Sequence, residues 1–233
     1  MQKQINKIRI KIDKIDRQII DLLETRLSYV NEVAQFKSQN NKISYIKADR
    51  EYDMMVDLQK YSNRIPKEII FQIWRNIISF SLFSEKKFQI YFTASKQEID
   101  YATLLINNYF SYLPEVIHQQ ILINDSKATN ILLNNVIVGS IEDQHFVEML
   151  INYPDLNIFA KLGNKRAKVY YAAALIPEQY LVKENYLMLS EVSQQASLTK
   201  VFLFGKYHFI NVHKDKSYSN TCLGTYADID KIC

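Results

Sequence analysis

Apolar residues recur along the first forty positions at three- and four-residue intervals: Ile5, Ile8, Ile12, Ile15, Ile19 and Leu22, then Tyr29, Val33 and Phe36. That spacing returns to one face of an α-helix at every turn. The first proline is Pro66 and the first glycine is Gly139, so nothing interrupts the pattern. Residues 5–40 are predicted as one helix, roughly 54 Å long at about 1.5 Å per residue. A helix of that length outruns a small domain and needs a partner helix for most of its course, in coiled-coil-like packing. Leu23, Leu27, Val30 and Ala34 widen the apolar stripe beyond a two-stranded seam, as in a bundle helix.

A second helix is predicted over Asp49–Ser62, where Tyr52, Met55, Val56 and Leu58 supply the apolar face. A third follows Pro66, a residue suited to a helix's first turn, through KEIIFQIWRNIISFSLFSEKK. Residues 1–88 therefore read as an all-α, three-helix domain whose first helix is too long to bury itself, and an intertwined dimer is the expected solution. From Phe88 the pattern changes to short apolar runs between polar helices. Strands are predicted at FQIYFTA (88–94), QQILIN (119–124), NNVIVGSI (134–141), LNIFAKL (156–162), VYYAAALI (169–176) and YLMLSEV (186–192). KVFLFGKYHFINV (200–212) reads as a hairpin about Gly205-Lys206. Helices are expected over 96–111, 126–133 and 142–152. Residues 89–233 thus form an α/β domain, and the four dispersed glycines match neither a dinucleotide nor a P-loop pattern.

Composition adds limits. With 233 residues, 48% hydrophobic and 23% charged, the chain is ordinary for a globular protein. It has no apolar run long enough for a transmembrane helix, and its N-terminus lacks the apolar core of a secretory signal. Only two cysteines occur, Cys222 and Cys233, without metal-ligand spacing. A reduced, cytoplasmic protein with no metal and no membrane partner is expected. The net charge of +4 is uneven: residues 1–88 carry 17 Lys+Arg against 11 Asp+Glu, an excess of +6, and the remainder carries −2. The basic residues are dispersed through the amphipathic pattern rather than clustered among aromatics, which argues against nucleic acid.

Several polar residues of the first half stand where the pattern asks for apolar ones. Arg26 occupies the seam position between Leu22 and Tyr29, and a seam guanidinium without an anionic partner costs several kcal/mol. Lys37, eleven residues on, returns to nearly the same face at about 100° per residue. Ser81 and Glu85 are four apart on one face of the third helix, and Arg50 and Glu51 open the second. Arg9 lies about 260° around the helix from Arg26, so it meets that residue only from a partner chain. Surface snorkelling or buried ion pairs explain any one of these residues singly. Together they propose a polar pocket inside a helical bundle, built to take a small anion.

The runs IRIKIDKIDRQIIDLLETRLSYVNEVAQFK, the DRE of ADREYDMM and IFQIWRNIISFSLFSE make segment 5–85 similar to the all-helical class of chorismate mutases. The same type stands at the N-terminus of bifunctional chorismate mutase–prephenate dehydratases. The resemblance implies a helical homodimer with two sites, each built from both chains. It implies conversion of chorismate to prephenate by a pericyclic rearrangement, without cofactor, metal or covalent intermediate. By family position, Arg26 and the other chain's Arg9 clamp the two substrate carboxylates, with bidentate geometry favouring arginine. Lys37 donates to the ether oxygen and a carboxylate, Glu51 accepts from the ring hydroxyl, Arg50 positions the substrate or Glu51, and Ser81 binds a carboxylate. Many relatives carry glutamine where this chain has Glu85, whose amide donates to the ether oxygen. Glu85 therefore has to hold a proton to act, and burial is the expected cause. Relatives often carry an acid where this chain has Lys47.

Residues 89–233 are faintly similar to the periplasmic-binding-like fold of prephenate dehydratase, chiefly in SKATNILLNNVIVGSI. The Thr-Arg-Phe signature of that chemistry is missing, and KVYYAAALI is the nearest run. A dehydratase relic, a ligand-binding regulatory domain and a structural support for the dimer all remain open for this half. The alternative to a mutase is a non-catalytic or regulatory protein that keeps the helical scaffold while its α/β half binds an aromatic amino acid or a partner enzyme.

Overall fold

The computed structural model describes residues 1–39, 44–61, 63–119, 128–133, 135–163 and 168–180, together with the backbone of strands within 185–227. Its first element, α1 (Gln2–Ser38), is a 37-residue helix, as the unbroken three-four spacing requires. It is followed by α2 (Ala48–Leu58) and α3 (Lys67–Glu85), the latter capped by Pro66. The second helix ends four residues earlier than the apolar pattern suggests, with Lys60 and Tyr61 held in turns onto Asp57 and Leu58. Only the C-terminal part of α1 meets α3 closely, and Lys37 is its one buried residue. The isoleucine stripe of the other part lies open, Ile8, Ile12, Ile15 and Ile19 being 49–58% exposed. Among the described residues nothing covers that stripe within one chain, α2 and α3 being too short to run beside it.

Beyond Phe88 come β1 (Gln89–Phe92), α4 (Ile99–Phe110), β2 (Glu115–His118), α5 (Ala128–Leu132), β3 (Val136–Gly139) and α6 (Gln144–Asn152). Then follow β4 (Leu156–Leu162), β5 (Tyr170–Leu175), a 3-10 turn at Glu178–Tyr180, β6 (Asn185–Glu191), β7 (Val201–Phe204), β8 (Tyr207–His213) and β9 (Thr221–Ala227). One sheet contains all the described strands in the order β2-β1-β3-β5-β4-β9-β6-β8-β7. Strand β1 runs parallel to both β2 and β3, while β5 is antiparallel to β3 and β4. The all-α segment followed by an α/β segment is the class the pattern predicts. Strands β7 and β8 form the predicted antiparallel pair, Phe204 opposite Tyr207; residues 205–206 lie outside the described residues.

Two strands escape the sequence reading. Strand β2 precedes the predicted 119–124 run, of which residues 120–124 lie outside the described residues. Its four residues, EVIH, are too short and too exposed to show a period. Strand β9, TCLGTYA, carries no alternation and is set by pairing with β4 and β6. The third strand shows why VIVG is apolar throughout. Val136 and Val138 face α4 with Ile90, Phe92, Ala102, Ile106 and Phe110, whereas Ile137 faces α5 and α6 with Leu132, Phe146 and Leu150. Helices on both faces of a sheet make both sets of alternating positions hydrophobic.

The helical and α/β parts share packing. Ala48, at the start of α2, is buried in the α4-facing cluster, with Ile46, Tyr52 and Phe88 against it. The Ser79 hydroxyl of α3 donates to the Tyr109 carbonyl of α4 at 2.9 Å. Among the described residues no helix is long and apolar enough to cross a membrane. Gly139 closes β3 where α6 crosses it, and a Cβ there would stand 2.3 Å from Phe146 Cγ, inside a buried cluster with no free volume to yield. Gly139→Ala is accordingly expected to destabilise the protein by about 1–3 kcal/mol, the usual cost of overpacking, read as a lower urea midpoint at an unchanged denaturant slope.

Candidate functional site

The α1–α3 contact encloses a cavity of about 250 Å³, floored by Val30, Val33, Met54, Ile78 and Leu82. Its polar wall contains Arg26, Lys37, Arg50, Glu51, Ser81 and Glu85, which are all but one of the positions singled out in the sequence. Each arrives by helical spacing. Arg26 and Lys37 come from one face of α1, Ser81 and Glu85 from one face of α3, and Arg50 and Glu51 from the first turn of α2. Arg9 is the exception. It is exposed on α1, 17 residues before Arg26, a separation of about 25 Å along the axis. It lines no part of this cavity within one chain.

The hydrogen bonds define the electrostatics. Lys37 Nζ donates to Glu85 Oε2 at 2.5 Å and to the Tyr45 carbonyl at 3.3 Å. Both partners of this ion pair are about nine-tenths buried. Arg26 Nη1 donates to Ser81 Oγ, which in turn donates to the Ile77 carbonyl at 2.8 Å. Glu51 Oε2 accepts from Arg75 Nη1 at 2.7 Å. Among the described residues no carboxylate pairs with Arg26 or Arg50. Burial pushes the Arg26 pKa below its ordinary value, the Arg50 charge adds to that, and Glu85 opposes it. With Lys47 the cavity presents four cationic side chains against two carboxylates. Such a site is a ready receptor for a compact dianion.

The pairing of Lys37 with Glu85 adds something the sequence reading lacks. There, both residues face the same substrate oxygen as donors. In the structure Lys37 instead donates to Glu85 across the α1–α3 contact, two buried opposite charges neutralising each other.

Arg75 is the site residue that sequence reasoning missed. It is 3% exposed, pairs with Glu51, and stacks its guanidinium over the Tyr109 ring at 4.3 Å. Burial opposes its charge, but Tyr109 and Glu51 more than offset this, and its pKa lies above the usual value. Burial pushes the Tyr109 hydroxyl up to about 12, with the Arg75 charge opposing that shift. A signal existed: Arg75 interrupts the apolar run IWRNII as Arg26 interrupts the seam of α1. Lys47 and Tyr45, by contrast, come from a connection without periodicity. Lys47 Nζ lies 4.5 Å over the Tyr180 ring, which ties the cavity's rim to the 3-10 turn.

Residues 8–86, the segment that builds this cavity, match the family described as chorismate mutase type II. A curated relative from Aquifex aeolicus (strain VF5), a bifunctional chorismate mutase/prephenate dehydratase, is 30% identical over 98 residues. That alignment covers 40% of this chain and 27% of the relative's length. No solved structure matches the chain.

Removing Arg75 strands Glu51 in a mostly buried position. Arg75→Met is expected to cost about 3 kcal/mol in urea unfolding, the low end for breaking a buried pair because Glu51 keeps some exposure. The double variant Arg75→Met/Glu51→Gln should recover part of that loss; a double variant no more stable than the single one would show that the charge pair is not the source.

Proposed function

We propose that residues 1–88 form a chorismate mutase domain and that the protein acts as a cytoplasmic homodimer, residues 89–233 making a second domain. The observation that carries this is the assembly of Arg26, Lys37, Arg50, Glu51, Ser81 and Glu85 around one cavity, with no carboxylate on Arg26 or Arg50 among the described residues, inside the segment that matches the mutase family. In the reaction the ether C–O bond breaks as a C–C bond forms within one molecule, and no electron or atom leaves. Fixed charges fold the flexible substrate into its reactive conformer, which is a proximity effect. Donors aimed at the ether oxygen stabilise the charge that grows there in the transition state.

Under this reading Arg26 grips one substrate carboxylate, and the orphan charge on Arg50 helps orient the ligand. Ser81, already bonded to Arg26, offers its hydroxyl to the same anion. Glu51, held by Arg75, accepts from the ring hydroxyl. Lys37 turns from Glu85 to the ether oxygen, and Glu85 takes up a proton to become the second donor there. The remaining carboxylate is met by Arg9 of the other protomer. The exposed isoleucine stripe of α1 supports that assignment, since a second copy of the helix would cover it and bring Arg9 toward a cavity about 25 Å along the axis.

The competing reading, a non-catalytic scaffold, draws on one observation: a Lys37–Glu85 pair that stays closed would leave no donor for the ether oxygen. Following chorismate absorbance with the purified full chain separates the two. Arg26→Ala should lower kcat/KM at least about 100-fold, the usual size of losing an oriented charge in a closed site. A wild-type protein with no rate above background between about pH 5 and 8 would leave only the scaffold.

Glu85→Gln frees Lys37 from its ion pair and puts an amide donor in place of the carboxylate, so kcat should be at least that of wild type. A variant that loses turnover as severely as Arg26→Ala would remove this position from the donor role.

Sharing of Arg9 has its own signature. Arg9→Ala and Arg26→Ala should each be inactive alone, yet refolding an equal mixture should restore about a quarter of wild-type activity, because half the dimers are mixed and each of those has one intact site. A mixture as inactive as its components would place Arg9 outside the site.

A further inference from the structure

A second cleft, of about 400 Å³, lies in the α/β half and is lined by none of the residues that line the helical cavity. Strand β1 sits between β2 and β3, all three parallel, so the chain crosses from one side of β1 to the other. Beyond the carboxyl ends of such strands, where the order reverses, the loops part and leave a crevice. Thr93 and Ser95 after β1, Gln119 after β2 and Ser140 after β3 line it.

The charges in this crevice are opposite in balance to those of the helical cavity. Lys168 Nζ is held by Glu98 Oε1 at 2.8 Å and lies 3.7 Å from Glu142 Oε2. Asp143 accepts from the Thr93 hydroxyl through one oxygen and from the His145 N–H at 3.0 Å through the other, capping α6. Two carboxylates, Glu98 and Glu142, thus lie within 4 Å of one ammonium, and Asp143 adds a third on the cleft's wall. Glu98 is kept ionised, its pKa lowered first by the hydrogen bond from Lys168 and then by that from Ser95.

A separate feature points into the same space. Tyr170, on β5, is 1% exposed and lines the cleft, and its hydroxyl has no hydrogen-bond partner among the described residues. Burial, with Glu98 and Asp143 adding, pushes that hydroxyl up to about 12, so it remains a donor at neutral pH. A buried O–H without an acceptor costs free energy that a ligand oxygen would recover.

We propose that this cleft binds a small polar amine bearing an oxygen acceptor, its ammonium on the Glu98 side and its oxygen on the Tyr170 hydroxyl. The surplus of carboxylates rejects a dianion, so the cleft and the helical cavity select ligands of opposite charge. Lys168, released from Glu98 by the incoming ammonium, is free to meet a carboxylate when the ligand carries one, which admits simple amino acids as well as amino alcohols.

Titration calorimetry on the full chain with ethanolamine, L-serine and N-acetyl-L-serine tests this without reading turnover, so its failure is separate from that of the mutase reading. Saturable binding of either amine is expected, at least about tenfold weaker for the N-acetyl compound, whose nitrogen is uncharged. Tyr170→Phe and Glu98→Gln should each weaken binding by about tenfold while leaving the thermal midpoint close to wild type. Three results would each overturn the proposal. These are no binding of either amine up to about 10 mM, equal affinity for N-acetyl-L-serine, or saturable binding of malonate that Lys168→Met abolishes.

Discussion

The contact between α1 and α3 is made at its ends by polar groups, and the rest of the helical half is arranged around that fact. Lys37 reaches Glu85 at 2.5 Å and Arg26 reaches Ser81, so the two helices are fastened by charges taken largely out of water. A buried ion pair gains little over an apolar contact, and a guanidinium with only a hydroxyl for company is worse off still. The polar groups that fasten them line a cavity beside the contact rather than filling it. What is costly for the protein alone is favourable for a dianion, which meets a buried Lys37 and a partly buried Arg26 already fixed in direction.

Rigidity at this cavity is borrowed from the α/β half. Glu51 is held by Arg75, Arg75 lies over the Tyr109 ring, and the Tyr109 carbonyl accepts from Ser79, so α3 is tied to α2 by one contact and to α4 by two, all within one turn of α3. Ala48 is buried against the sheet's helical layer, which anchors the first turn of α2 where Arg50 and Glu51 begin. The α/β half thereby orients one wall of the cavity, whatever further role it has. The two clefts differ in charge for a related reason: the cation-rich one is formed by helices crossing at long side chains, the acid-rich one by loops after parallel strands, where short polar residues and helix caps such as Asp143 collect.

Much was legible in the chain. The three helices follow from apolar spacing and from the placement of Pro66, and β3, β4 and β5 from apolar runs of strand length. Arg26 and Lys37 are readable because a charged residue in a periodic seam is an exception with a direction, and helical geometry fixes that direction. Arg75 carries the same signal within IWRNII in weaker form, because α3 is apolar around most of its surface and leaves no clear seam to violate. Strands β2 and β9 show no period of their own, and their existence depends on the neighbours that pair with them.

The sequence by itself determined which elements form and which faces of α1 and α3 carry charge, because both follow from spacing along a single helix. Only the tertiary structure decided what those charges meet. That Lys37 meets Glu85 while Arg26 and Arg50 find no carboxylate among the described residues depends on how two helices settle against each other, which has no local record. The same holds for the orphaned Tyr170 hydroxyl and the carboxylates about Lys168, which come from segments up to seventy residues apart and are neighbours only because the sheet folds its strands in the order β2-β1-β3-β5.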